Sequence, residues 1–498
     1  MRDASKSGRI RQGNSSGHAM SELNFLTATA MAEGIRECKI SPVELLEAHI
    51  ERIERLQPKL NAFVHTDFDR ARQQAQAADR AVAAAAKGSG NGKSQEIRAL
   101  HGVPVTIKSC IDVAGYSVEC GTKLRSGLVA QSDAPLVARL RTAGAILLGN
   151  TNVPEFLMAY ETDNLTSGRT NSPWDLARTP GGSSGGEAAA IAAGCSAGGV
   201  GSDGGGSIRI PAHYSGICGL KPTPGRVPST GHFPGSAGPF TYLGVAGPMA
   251  RTMRDVALLF EVMAGPDAGD PCAAPVPHRR WTRDQIRALR IGFFDSDDFS
   301  PATPETRAAV RKAAEALVDQ KFRVDEWPME NSDRAWKLWW NLFGRAGQMA
   351  FSPTQSGHEN EFSATYRDFR ARVAAEPPMS GSELLNTLLE RDVLRLRLLA
   401  KMEEHAILLC PVCAIPAFRH GEREWQINGR KLEYLTVMSY SQWFNLFGLP
   451  AASVPVGTSP EGLPIGVQVV GRPWEDEAVL AVAQMIEEAC GGYRKPPI

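Results

Sequence analysis

The sequence predicts an α/β protein, with helices packed on a sheet. Two stretches of the chain alternate strand, helix and strand. In the first, Val103–Lys108 and Ala145–Leu148 flank a helix around Ala134–Ala143. In the second, Arg290–Phe294 and Arg323–Trp327 flank the helix Pro304–Asp319. Such alternation is how helices come to lie on a sheet. The composition agrees, because 498 residues with 43% hydrophobic and 22% charged content are ordinary for a globular protein and ample for a core.

The remaining elements follow in chain order. Ser41-Pro42-Val43-Glu44 reads as a helix start, with Ser41 as N-cap, Pro42 at the first helical position and Glu44 completing a capping box. Leu45, Leu46, Ile50 and Ile53 then recur at helical spacing. A second helix is expected over Phe68–Ala86, followed by a loop at Gly88–Ser94 that reads as an insertion tip. Glu187–Ala193 begins a helix, and Gly198–Ser202 reads as a short strand. Met253–Met263 is amphipathic, with Thr252 as N-cap. Pro266–Pro277 is rich in Pro, Gly and Ala and reads as a link to a peripheral region. An aromatic helical stretch with Trp336, Trp339, Trp340 and Phe343 on one face comes next. The helix Ser382–Glu404 leads into a strand at Ala406–Cys410, and Asn445–Val456 returns to the main sheet.

Lysine plus arginine equals aspartate plus glutamate, so no charge excess steers the chain to nucleic acid or an anionic membrane. The nine cysteines lack a disulfide-framework spacing, and their odd number favours a reducing compartment, the cytoplasm. Residues 1–19 are polar and basic without an apolar core, which suits a disordered leader rather than a signal or anchor, with Met20 as an alternative start. The ten histidines form no metal-ligand spacing, so no metal and no cofactor are expected. Cys410-Pro411-Val412-Cys413 ends a buried strand and reads as core packing.

The chemistry concentrates in Gly181–Ala212, where two glycine-rich loops each present a serine, Ser183 and Ser207, around an alanine-rich helical run. Three glycines before Ser207 let backbone N–H groups converge beside its hydroxyl, which is what an oxyanion hole requires. The loops lack the Gly-Lys-Ser/Thr ending of a phosphate-binding P-loop. A serine nucleophile needs a base, and the nearby His213 has no evident acidic partner. Lys108, directly after Val103–Ile107, is poised at the end of a buried strand. Desolvation lowers an ammonium pKa, so a buried neutral lysine can serve as that base.

These segments resemble the amidase signature family of serine hydrolases. The match lies in GGSSGG at 181–186, SDGGGSIRIPA at 202–212 and VPVTIK at 103–108. Further agreement comes from Ser41–Leu45, Asn61–Val64, Gly149–Phe156, Gly219–Thr223 and Gly448–Pro455, so that the resemblance covers about residues 22–495. It implies a central mixed, twisted sheet with helices on both faces, formed by a single domain over residues 20–498 with a variable pocket region at about 270–405. It also implies that Ser207 is the nucleophile, Ser183 the bridging serine on a cis Gly182–Ser183 peptide, and Lys108 the terminal base. The amides of Gly204, Gly205, Gly206 and Ser207 would form the oxyanion hole, with Gly182, Asp203 and Arg209 as structural support. The sequence departs from many relatives at Ser109, Asn150 and Gly204, where aspartate, lysine, and threonine or isoleucine are common.

Met158, Trp336, Trp340, Trp443 and Phe444 are the expected apolar walls of a substrate pocket. The implied activity is hydrolysis of small to medium uncharged carboxamides, aryl or alkyl, with esterase activity alongside. The alternatives are cleavage of carbamates or nylon-type oligomers, the glutaminase subunit of a tRNA amidotransferase, and a silent scaffold. The expected partners are a small amide, ester or carbamate and water, with no nucleic acid or membrane, in a monomer or homodimer.

Overall fold

The computed structural model describes residues 23–88, 97–235 and 238–498. The leader at 1–19 and the loop at 89–94 lie outside them. Thirteen strands are present among the described residues. The first six are β1 Phe63–Thr66, β2 Pro104–Lys108, β3 Ile146–Thr151, β4 Gly198–Asp203, β5 Cys218–Lys221 and β6 Val245–Ala250. The others are β7 Arg290–Phe293, β8 Arg323–Glu326, β9 Ile407–Pro411, β10 Glu424–Ile427, β11 Arg430–Glu433, β12 Ala451–Thr458 and β13 Pro464–Gly471.

Eleven of them form one mixed sheet in the order β1-β3-β2-β4-β6-β5-β12-β13-β9-β7-β8, and β10 and β11 pair as a separate hairpin. β2 lies parallel to both β3 and β4, whereas β4–β6, β6–β5, β5–β12 and β12–β13 are antiparallel. The far edge becomes parallel again through β9–β7 and β7–β8.

The central strands β9 and β13 are buried throughout, and successive side chains join opposite cores because they leave opposite faces of a pleated sheet. Ile407 and Leu409 join the core on one face, with Val467 and Val469. Leu408 and Cys410 join the core on the other face, with Val470. Helices therefore cover both faces, as the resemblance implies. On one of them Pro304–Asp319 and Asp476–Cys490 supply Val310, Leu317, Val479 and Ile486. The strands β5, β6 and β13 and the helix Asp476–Cys490 are elements the sequence reading did not draw. Their glycines, prolines and unbroken apolar runs hide the period-2 signal of strands buried on both faces.

Ser41 and Thr252 cap their helices as expected, but no bond from Glu44 to the Ser41 amide completes a capping box among the described residues. Ser41 Oγ accepts the Val43 and Glu44 amides at 3.1 and 3.4 Å, and its own hydroxyl reaches Asp79. Thr252 Oγ1 accepts the Asp255 amide at 3.2 Å. Asp255 in turn receives the amides of Ala28 and Thr29 at 2.9 Å, tying two helix starts together. The aromatic stretch is not one continuous α-helix. An α-helix over Ser332–Trp340 passes into a π-turn over Asn341–Ala346 and resumes as an α-helix over Gly347–Gln355.

Candidate active site

β2 and β4 run side by side in the same direction, with Ile107 beside Val200. Their carboxyl ends therefore deliver Lys108 and the Ser202-Asp203 pair to the same place. The loop Gly204–Ser207 continues from β4 into the helix Arg209–Ser215. The helix Gly185–Ala192 starts just after Ser183 and is buried at every position. Its alanines and glycines let it approach the strands closely.

Lys108 is fully buried. Its Nζ lies 2.7 Å from Ser183 Oγ, 3.0 Å from Ser202 Oγ and 3.3 Å from the Ser202 carbonyl. Burial lowers its pKa from the usual lysine value, against the opposing charges of Cys110, Cys120, Asp203 and Glu187. Glu187 lies beneath the site and receives hydrogen bonds from the Thr106 and Thr151 hydroxyls. Burial pushes its carboxyl up to about 7. The peptide Gly182–Ser183 is cis. Ser183 and Ser207 both line one cavity. No hydrogen bond joins their two hydroxyls among the described residues.

Asp203 organises the glycine loop. Its carboxylate accepts the Gly206 amide at 2.7 Å and the Ile208 amide at 3.1 Å. Arg209 holds it from the side through Nε at 2.9 Å and Nη2 at 2.8 Å, and both side chains are fully buried. Burial alone would raise this carboxyl, but the guanidinium overrides it and keeps it well below the usual carboxylate range. Arg209 is satisfied further by Ser441, Gln468 and Asn445. The Gly206 N–H is thus already engaged, which corrects the expectation that all four loop amides face a substrate. Gly206 holds φ at +121°, a conformation that favours glycine.

Two aromatic side chains pin the loop's carbonyls. Trp339 Nε1 donates to the Gly204 carbonyl at 3.0 Å, and the Tyr160 hydroxyl donates to the Gly205 carbonyl at 2.9 Å. In a trans peptide the carbonyl and the following N–H point in opposite directions. The Gly205 amide is therefore turned away from Trp339.

The cavity is walled by Phe156, Leu157, Met158, Phe240, Val245 and Phe343, with His232 and Ser229 as polar members. Of the five expected pocket residues, only Met158 lines it. Trp336 packs on Phe299, Trp340 packs on Phe369 and donates to Glu376 at 2.7 Å, and Trp443 and Phe444 are fully buried in the core. These four are corrected to packing roles. From the aromatic stretch, Trp339 and Phe343 reach the loop, stacked with centroids 4.8 Å apart. A Cβ at Gly204 would lie 2.9 Å from the Phe343 ring, and one at Gly205 would lie 2.6 Å from Trp339. The two glycines thus make room for the aromatic pair.

Other residues singled out from sequence do not meet a substrate. His213 is buried between the Gly466 amide and the Ile415 carbonyl, and burial pushes it down to about 4. Asn150 donates to the Ser117 carbonyl at 2.9 Å, and the Lys108 amine bonds Ser183 and Ser202, so neither Asn150 nor the Ser109 side chain is bonded to it among the described residues. Cys410 and Cys413 are fully buried in the core, and burial pushes both thiols up to about 12. The sequence reading missed Ser202 and His232. Ser202 stands immediately before the Asp-Gly-Gly-Gly run, at the end of a strand parallel to that of Lys108, which was a usable signal. His232 follows a Ser-Thr-Gly loop that carries no such pattern.

With this geometry established, comparison with known proteins defines the class. The Amidase family profile matches residues 44–480. The chain belongs to the amidase signature family, whose members hydrolyse carbon–nitrogen bonds. It is 33% identical to a glutamyl-tRNA(Gln) amidotransferase subunit of Roseiflexus sp. (strain RS-1), over 96% of this chain and 99% of that one. It is 31% identical to fatty-acid amide hydrolase 2-A of Danio rerio, over 95% and 90% of the two chains. Among solved structures, a bacterial aryl acylamidase of the family superposes with a TM-score of 0.82 at 27% identity, covering 94% and 97%. No helix among the described residues is long and apolar enough to cross a membrane.

Proposed function

We propose that this enzyme hydrolyses small to medium uncharged carboxamides with an apolar aryl or alkyl acyl group, and the corresponding esters. The observation that carries this reading is the apolar cavity against Ser183 and Ser207. Its one carboxylate, Asp203, is already neutralised by Arg209. A pocket for glutamine would have to offer charged partners to an α-amino and an α-carboxylate group. This favours the simple amidase over the amidotransferase subunit.

Neutral Lys108 takes the Ser183 proton as Ser183 takes that of Ser207. Ser207 Oγ bonds to the substrate carbonyl carbon, and the oxyanion faces the amides of Gly205 and Ser207. The relay then runs backward to protonate the nitrogen as the C–N bond breaks. The amine leaves, an acyl-Ser207 ester remains, and water releases the acid by the same relay. Aryl and alkyl amides, the matching esters and glutamine should be compared by kcat/KM, with mass spectrometry of the acyl adduct. Turnover of apolar amides with an adduct on Ser207 is expected. Preference for glutamine, or an adduct elsewhere, would refute the reading.

A further inference from the structure

Beside Lys108 lies a polar chain that the relay does not use, and two of its members, Ser202 and His232, line the same cavity as Ser183. Cys110 Sγ is 3.7 Å from Ser202 Oγ and 3.4 Å from His232 Nε2. His232 Nδ1 is 2.8 Å from the Pro234 carbonyl oxygen. A carbonyl can only accept, so Nδ1 carries hydrogen, and in the neutral ring Nε2 is the acceptor facing Cys110. The thiol therefore gives its hydrogen to Nε2, as a shared bond or as a transferred proton. Either way the sulfur is left to accept from Ser202. Burial works to raise the Cys110 thiol, but His232 and Lys108 together draw it below the usual value.

The direction of this chain matters for Lys108. A neutral amine has two N–H bonds and one lone pair. With its own hydrogen on Cys110, Ser202 Oγ accepts one N–H, and the Ser202 carbonyl is placed to accept the other. The lone pair is then left facing Ser183 Oγ at 2.7 Å. If the Ser202 hydroxyl turned round to donate to the amine, it would occupy the lone pair that Ser183 needs.

We propose that Cys110 and His232 are positioning residues, whose hydrogen bond fixes the direction of the Ser202 hydroxyl and so keeps the Lys108 lone pair on Ser183. The proposal rests on Lys108 being the terminal base. The titratable groups facing Lys108 are Cys110, Cys120, Asp203 and Glu187. Arg125 faces Cys120 and Cys110, and Asp112 faces Arg125 and His232. Cys110 is the largest of the charges that oppose the lowering of Lys108. Removing it lets Lys108 fall further, so the acidic limb of the activity profile moves to lower pH.

The test is the pH profile of kcat/KM on an apolar amide for wild type, Cys110→Ala, Cys110→Ser and His232→Asn. The rate of Ser207 labelling by a fluorophosphonate is followed in parallel, with thermal melting as a check on folding. Cys110→Ala is expected to lower the plateau about tenfold, the worth of one misdirected hydrogen bond, and to shift the acidic limb down. His232→Asn should lower the plateau likewise. Cys110→Ser should restore the plateau, because its hydroxyl both accepts from Ser202 and donates to His232, while the limb stays shifted, because a neutral hydroxyl cannot replace the charge. Wild-type profiles for Cys110→Ala and His232→Asn would overturn the proposal. So would a lowered plateau that serine does not restore, or an acidic limb that does not move in Cys110→Ala. A wild-type chain that does not label at Ser207 would instead overturn the relay itself, and the proposal with it.

Discussion

Two regions meet at the cavity, and they are built differently. At the ends of β2 and β4, Lys108, Ser183, Ser202, Asp203 and Arg209 are held by directed hydrogen bonds between buried groups. In the facing wall Phe343, backed by the buried Trp339, is held chiefly by ring stacking and by the space that Gly204 and Gly205 leave open. The first region tolerates no change of atom type, because a buried polar group without its partner is costly. The second is governed by volume and by the phase of a helix. Bond breaking and substrate choice can thus vary independently in one cavity.

The sharpest way to break this comparison is on the polar side. Ser207→Ala should lower amide turnover on the order of 10^5-fold. Measurable residual activity within tenfold of wild type would place the bond-breaking group elsewhere. Lys108→Ala should cost about 10^3-fold and abolish the acidic limb. The sign follows from burial, which lowers the lysine pKa. Only the neutral form accepts a proton, so wild-type activity rises with pH through that value and is lost below it. Steady-state rates from pH 5 upward, on the order of one pH unit apart, would check both.

Asp203→Asn tests the same region through stability. It leaves Arg209 buried with its main counter-charge gone, a loss of about 3–5 kcal/mol. Denaturant unfolding would measure it, and a change within error would mean that Ser441, Asn445 and Gln468 suffice for the guanidinium.

Smaller effects belong to the aromatic wall. Phe343→Ala should shift the kcat/KM ratio about tenfold toward longer acyl chains. Gly204→Thr should impair every substrate, because its Cβ meets the Phe343 ring, and Phe343→Ala in the same chain should relieve that loss. Failure of the double variant to recover would separate the two positions. Trp336→Ala should leave acyl preference unchanged, since this ring packs on Phe299 outside the cavity.

The two regions also differed in how far they could be read from sequence. Lys108, Ser183 and Ser207 stand in compact motifs whose residue types announce their chemistry, and the structure gathers Lys108 and Ser183 to 2.7 Å. The alternation of strands and helices located β2, β3, β4, β7 and β8 within a residue or a few. The wall was harder. Trp336 and Trp340 share the four-residue spacing of Trp339 and Phe343, and periodicity cannot say which pair faces the loop. The π-turn that carries Phe343 left no mark in the apolar pattern. The Gly206 amide was misjudged because its engagement depends on the rotamer of Asp203, three residues away.

That π-turn has a consequence for how such a pocket diversifies. A π-turn holds one residue more than the α-helical turn it replaces. Each residue of an α-helix advances the side chain by about 100°. The π-turn absorbs that rotation, so deleting a single codon within residues 341–346 would relax the turn to α-helix and leave the side chains beyond it on their present face. Loss of a residue, rather than replacement of one, would then reset only the turn that carries Phe343 and leave the helix Gly347–Gln355 seated. Differences of length at that turn should therefore alter the part of the wall that Phe343 forms without disturbing the packing of the helix that follows.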